Sequence, residues 1–285
     1  MSAKQGAGVR DLVSELELIA CDAGRLISEI RERGIEVLAK GDGSPVTEAD
    51  ASAEALILER LSVAFPDIPV VAEEMVSQEG NPGDVGSRFF LVDPLDGTKE
   101  FIKGSTDYTV NIALIERGAP VAGVVVAPAR HEVYSGFANG GAQVARVPQQ
   151  GAPREGEDIH VRALGLAWTA VVSVSHMTDA TRRFLEPLPI GESVSVGSSL
   201  KFCLVAAGKA DIYPRFGRTM QWDTAAGDAV LRAAGGVTTT RDKTVLSYGP
   251  RSGLPENRFE NPEFIAFGGA VERLRQIVFE SKPQP

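Results

Sequence analysis

Cysteine is nearly absent from this chain: its 285 residues contain two, Cys21 and Cys203, far apart and without CxxC spacing. That argues against a disulfide framework or a cysteine zinc site, and both thiols are expected as small core hydrophobes. Histidine is scarce too, with only His131, His160 and His176, so no histidine cluster stands ready to hold a metal. No apolar run approaches the roughly 18 to 20 residues that crossing a bilayer requires. The opening stretch MSAKQGAGVRDLVSELELIA lacks the apolar core and cleavage site of a secretion signal. A cytoplasmic protein without an integral membrane segment is therefore expected, with peripheral contact at the inner membrane left open. Excess basic charge is missing as well. The 29 Lys and Arg against 38 Asp and Glu give a formal charge of -9, which argues against a general nucleic-acid surface. An anionic substrate would have to be met locally, by metal ions or by a few placed cations.

What is present is a chain with 43% hydrophobic residues, enough for one large domain or two closely packed halves. Apolar residues at Leu12, Leu16, Ile19, Ala23, Leu26, Ile27 and Ile30 repeat with helical spacing and predict a helix over 10–34. A second helix is expected over 47–65, with Thr47 as N-cap, acidic residues in its first turn and Pro66 as its stop. Then the period changes. IPVVAEE, RFFLVDP, YTVNIALIERG, PVAGVVVAPAR, HEVYSGFA and GAQVARV read as strands of a mostly antiparallel sheet. The stretch from Gly140 to Asp158 is rich in Pro, Gly and Gln and is expected as a loop or crossing. It divides an N-terminal α+β half (1–140) from a C-terminal α/β half (141–285) within one compact unit. In the second half WTAVVSVS and ADIYPRF look like strands. SSLKFCLVAAGKA, WDTAAGDAVLRAAGG and GGAVERLRQIVFESK look like helices.

Three acidic clusters stand where apolar segments end: Glu73-Glu74 after IPVVA, Asp93 and Asp96 in DPLDGT after FFLV, and Asp223 in QWDTAAGDAV. If these ends converge, their repulsion and desolvation are costly unless cations neutralise them. Carboxylates with backbone carbonyls suit a hard ion such as Mg²⁺ rather than zinc. Each cluster also has a plainer reading: a solvated strand exit, an Asp-Pro-Gly turn, a helix cap. The conjunction favours a site, since a turn does not need two Asp and a Thr hung on a buried strand. Pro94 and Gly97 permit a tight turn in which Asp93 and Asp96 face one site. The Leu95 carbonyl can point inward there, and the Gly97 and Thr98 N–H groups can meet an anion. Asp50, near the start of the second helix, is a further carboxylate that could equally be an ordinary first-turn Asp.

VVAEE, DPLDGTKEF and WDTAAGDAV, in this order and spacing, resemble the signature segments of the inositol monophosphatase superfamily, Mg²⁺-dependent phosphomonoesterases sensitive to lithium. The resemblance implies a five-layered αβαβα sandwich of the inositol monophosphatase/fructose-bisphosphatase type. It implies two or three Mg²⁺ per site, held by Glu73, Asp93, the Leu95 carbonyl, Asp96 and Asp223. Thr98 and Glu73 would position or activate the attacking water, Asp50 would pair with Thr98, and Glu74 would stand beside the ligands. In-line attack by water needs no covalent enzyme intermediate.

Within the superfamily, GSSLKFCLVAAGKADIYPRFGRTMQWD departs from the inositol monophosphatase pattern, which has small neutral residues where this chain has Ser198, Lys201 and Arg215. This version looks like the CysQ-type branch, the 3'(2'),5'-bisphosphate nucleotidases. The resemblance implies conversion of adenosine 3',5'-bisphosphate to AMP, and in some members of 3'-phosphoadenylyl sulfate to adenylyl sulfate, which clears a by-product of sulfate assimilation. A second phosphate that is not cleaved needs its own donors, and Arg supplies a bidentate clamp that Lys supplements. Ser198 and Lys201, three apart on an expected helix, would share a face. Substrate contacts are thus expected from Gly97, Thr98, Ser198, Lys201, Arg215 and Asp223, with His176 a candidate for base or ribose. Phe202 is expected in the core. The alternatives are a phosphatase of the same superfamily acting on inositol, fructose or histidinol phosphates, and a nucleotide-binding protein without catalysis. Monomer and homodimer both fit.

Overall fold

The computed structural model describes residues 3–41, 43–173, 177–251 and 258–269. Among these the first half contains α1 (Ala3–Arg33), β1 (Val37–Ala39), β2 (Pro45–Thr47), α2 (Glu48–Ala64), β3 (Val70–Ala72), α3 (Glu73–Glu79), β4 (Arg88–Asp96), α4 (Thr98–Ile102), β5 (Thr109–Glu116), β6 (Ala119–Ala127), β7 (Glu132–Phe137), β8 (Gly141–Arg146) and β9 (Glu157–Ile159). Beyond it come β10 (Trp168–Ser173), α5 (Asp179–Leu185), β11 (Ile190–Val196), α6 (Leu200–Ala206), β12 (Ile212–Arg215), α7 (Ala225–Ala233), β13 (Val237–Thr240) and β14 (Phe264–Phe267).

Both expected N-terminal helices form. α2 starts with a capping box: the Thr47 hydroxyl accepts from the Ala49 N–H, and Asp50 accepts from the Thr47 N–H at 2.7 Å. The first-turn Asp thus closes the helix start and is left with a second oxygen free to face elsewhere. β3 to β9 form a seven-stranded sheet in chain order, antiparallel except for the β3–β4 pair. GAQVARV forms β8 of this sheet, and the crossing expected within 140–158 falls just later, because β9 returns to the sheet and the chain leaves it only after Ile159. β10 to β14 make a five-stranded mixed sheet in the order β11-β10-β12-β14-β13. The terminal helix expected over 268–282 lies almost wholly outside the described residues.

Five layers result. α1 and α2 cover one face of the large sheet, burying Leu16, Ile19, Ile27 and Ile57 against Phe90, Val92 and Ile112. α6 and α7 fill the space between the two sheets, with Phe202, Cys203 and Val230 packed among residues of both. α5 covers the outer face of the second sheet with Leu185 against Trp168, Ile212 and Ile265. A sheet covered on both faces needs no polar side, which is why RFFLV reads as an unbroken apolar run. Both cysteines are buried in these layers, as expected, and Phe202 is core, stacked on Phe264 and edge-on to Tyr213. Among the described residues no helix is long and apolar enough to cross a membrane.

Candidate active site

β4 delivers its carboxylates by a bulge. Asp93 pairs with Asn111 and Asp96 with Thr109, so three steps on β4 match two on β5. In a regular strand, residues three apart point to opposite faces; the extra residue restores Asp93 and Asp96 to the same side. The expected turn is therefore an irregular strand end, and Gly97 completes it at φ 94°, caps α4, and leaves room for the Asp107 carbonyl, which a Cβ there would approach to 2.9 Å. Glu73 opens α3 rather than a loop, and Asp223 precedes the Thr224 N-cap of α7. Asp223 does not cap that helix; its Oδ2 accepts from the Met220 N–H at 2.8 Å.

One oxygen each from Glu73, Asp93 and Asp223 lies within 4.8 Å of the others. Asp96, Leu95, Gly97 and Thr98 line the same cleft, of about 590 Å³. Burial holds Asp93 well above the usual carboxylate range, with Glu73, Asp96 and Asp223 adding like-charge repulsion. Burial does the same to Asp223, helped by Asp96 and Glu73, and raises Asp96 despite Lys201 and a Ser199 hydrogen bond. Such a cluster gains greatly from a cation, and a donor set made only of carboxylate and carbonyl oxygen fits Mg²⁺.

Thr98 Oγ1 donates to Asp50 Oδ1 at 3.0 Å, with the Leu95 carbonyl at 3.2 Å. The other Asp50 oxygen accepts from both the N–H and the hydroxyl of Thr47 at 2.7 Å. Burial raises the Asp50 carboxyl, against the pull of these bonds. Glu74 stands beside the cluster as expected. Burial pushes it up to about 7 against the opposing pull of Lys40, which bridges Glu73 Oε1 at 2.6 Å and Glu74 Oε1 at 2.5 Å. The sequence reading missed Lys40. It precedes the turn of the β1–β2 hairpin, and a lone lysine in KGDGS carries no sign of a partner more than thirty residues away.

Two buried cations line the same cleft. Lys201 is 5% exposed and Arg215 7%. Arg215 donates to the Arg218 carbonyl at 2.7 Å and the Gly217 carbonyl at 3.3 Å; Lys201 donates to the Ser198 carbonyl at 2.5 Å and lies 5.4 Å from the Tyr213 ring centroid. Among the described residues neither has a carboxylate within ion-pair distance. Burial lowers the Lys201 ammonium to about 8, with Arg215 adding to the fall and Asp96 opposing it.

Ser198 does not share a helix face with Lys201. It precedes α6 at φ 49°, with its hydroxyl buried in the cleft wall. Ser199, not singled out from sequence, ties the halves together: it accepts from Asn111 at 2.9 Å, and its hydroxyl lies 2.6 Å from the Asp223 carbonyl and 3.1 Å from Asp96 Oδ2. The sequence reading chose Ser198 of the repeated serine in GSSLK, and backbone conformation decides between the two. His176 lies outside the described residues.

A model of the inositol monophosphatase family matches residues 11–267. The 3'(2'),5'-bisphosphate nucleotidase CysQ of Salmonella typhimurium is 43% identical over 255 residues, which cover 86% of this chain and 95% of that one. Among solved structures, CysQ from Bacteroides thetaiotaomicron superposes with a TM-score of 0.73 at 33% identity, over 91% of this chain and 97% of that one. The Thermotoga maritima IMPase gives 0.74 at 25% identity, over 95% and 97%.

Proposed function

The chain belongs to the inositol monophosphatase family, and from that premise we propose that it is a Mg²⁺-dependent 3'(2'),5'-bisphosphate nucleotidase. It hydrolyses the 3'-phosphate of adenosine 3',5'-bisphosphate to AMP and inorganic phosphate, and accepts 3'-phosphoadenylyl sulfate as a second substrate. The observation that carries this reading is one cleft lined both by a carboxylate cluster and by two buried cations. A simple phosphate monoester would need only the first.

Glu73, Asp93, the Leu95 carbonyl, Asp96 and Asp223 would hold the metal. Bound there, Mg²⁺ supplies positive charge where the phosphoryl group and its leaving oxygen gather negative charge. The chain's own residues do the rest. Thr98 commits its proton to Asp50, so the free lone pairs of its hydroxyl can accept a hydrogen bond from the attacking water and orient it. As the water's oxygen bonds phosphorus and the P–O3' bond breaks, the water's proton passes to Thr98 and the Thr98 proton to Asp50, while the departing O3' takes a proton from a solvent water, whose hydroxide is neutralised when Asp50 releases its proton. Asp50 is suited to take it, because burial has already raised its carboxyl. Arg215 and Lys201 hold the phosphate that stays, so the binding energy of the remote group orients the reacting one.

Phosphate release from adenosine 3',5'-bisphosphate, inositol 1-phosphate and histidinol phosphate, each with Mg²⁺ and with EDTA, tests this. The nucleotide is expected to have the highest kcat/KM, and EDTA to abolish all release until Mg²⁺ is restored. Efficient turnover of either other ester beside poor turnover of the nucleotide would overturn the substrate reading.

A further inference from the structure

Asp107, in the connection between α4 and β5, touches both working loops of the cleft. Its carbonyl oxygen is wedged between two glycines: a Cβ at Gly97, in the acidic turn, would come within 2.9 Å of it, and a Cβ at Gly197, which opens the Gly197-Ser198-Ser199 loop, within 2.7 Å. Its carboxylate reaches only one of these loops, since Oδ2 accepts from the Gly197 N–H at 3.1 Å. Oδ1 accepts from Arg130 Nη2 at 2.5 Å, from the turn that joins β6 to β7 in the large sheet. Asp107 is therefore tethered on the far side by Arg130, which also offsets its negative charge near an anion site. The loop it holds is the one whose Ser198 carbonyl receives Lys201 and whose Ser199 hydroxyl meets the Asp223 carbonyl. Sliding Gly197 would move Lys201 relative to Asp96 and Asp223.

We propose that Asp107 is a positioning residue that fixes the span between the acidic turn and the Gly197–Lys201 donor loop, and so selects esters whose second phosphate lies at that span. The inference rests on the bisphosphate reading above. Both backbone wedges survive loss of the side chain, so removing the carboxylate takes from the donor loop only the hydrogen bond that tethers it.

Adenosine 3',5'-bisphosphate and adenosine 3'-phosphate, which lacks the remote group, are compared on the wild type, Asp107→Ala, Asp107→Asn and Gly197→Ala. Loss of a charge-assisted hydrogen bond predicts a KM for the bisphosphate raised roughly tenfold in Asp107→Ala, with kcat nearly unchanged. Adenosine 3'-phosphate should show no matching loss. Asp107→Asn, which still offers an oxygen to the Gly197 N–H, should recover part of the affinity. Gly197→Ala, whose Cβ would meet the Asp107 carbonyl at 2.7 Å and the Asp107 Cβ at 2.9 Å, should repeat the Asp107→Ala signature with the carboxylate chemically intact. Equal losses on both substrates, or an unchanged KM for the bisphosphate in both Asp107→Ala and Gly197→Ala, would overturn the proposal. A wild type that does not prefer the bisphosphate would contradict the nucleotidase reading itself, an outcome distinct from a preference that survives Asp107→Ala.

Discussion

The acidic and the cationic side chains of the cleft pose the same physical problem with opposite sign and solve it differently. In the acidic cluster Asp93 is 1% exposed and three carboxylates crowd within 4.8 Å, so the charges oppose one another and burial raises their proton affinity. Lys201 and Arg215 are nearly as buried but are satisfied by backbone carbonyls, and Lys201 loses rather than gains proton affinity. Carboxylates fixed on the β4 bulge, at the start of α3 and just ahead of α7 cannot move apart easily, so they gain from a cation. Long cationic side chains can lean on carbonyls until an anion replaces them. On the proposed reading the difference separates the roles, the carboxylate cluster serving reaction and the cations recognition.

The largest effect expected from breaking this comparison is at the acidic cluster. Asp96→Asn should lower kcat/KM for every ester by roughly a thousandfold or more, the scale of losing electrostatic stabilisation at a reacting centre. Because it removes one charge from a repelling cluster, the thermal midpoint should hold or rise; a clear fall in a melting scan would make Asp96 a structural residue instead. At the two cations the effect is smaller and selective. Arg215→Ala should raise KM for the bisphosphate roughly 10- to 100-fold, the range for charged hydrogen bonds, and spare adenosine 3'-phosphate. Equal effects on the two would remove Arg215 from recognition. The smallest effect sharpens the comparison through pH. Lys201 is lowered to about 8, so it is charged below that pH and loses its charge above it. KM for the bisphosphate should climb between pH 7 and 9.5 relative to that for the monophosphate. The rise should be only roughly fivefold, because a bound dianion pulls the ammonium's proton affinity back up.

The parts of this site legible in sequence are those in which chemistry and local pattern coincide. VVAEE, DPLDGTKEF and WDTAAGDAV carried the family resemblance, which the family match over residues 11–267 bears out, as the layered fold bears out the expected sandwich. Asp93 and Asp96 announce themselves because two carboxylates end a buried strand. What they could not announce is the bulge, since an extra residue shows only when β5 supplies the register. Lys40 was missed because its partners lie across the fold, and Ser199 because a left-handed turn at Ser198 rotates the expected helical face away. Asp107 was not singled out from the sequence. Its contacts are with two distant glycines and an arginine, none of which changes the local pattern around it.

The central claim is that the carboxylate cluster serves reaction while Lys201 and Arg215 serve recognition. The most direct test is the ratio of kcat/KM for adenosine 3',5'-bisphosphate to that for adenosine 3'-phosphate, measured with Mg²⁺ on the wild type and on Arg215→Ala. The account predicts a large ratio in favour of the bisphosphate that collapses toward unity in the variant while turnover of the monophosphate persists. A wild-type ratio near one, or a ratio unchanged by Arg215→Ala, would contradict it.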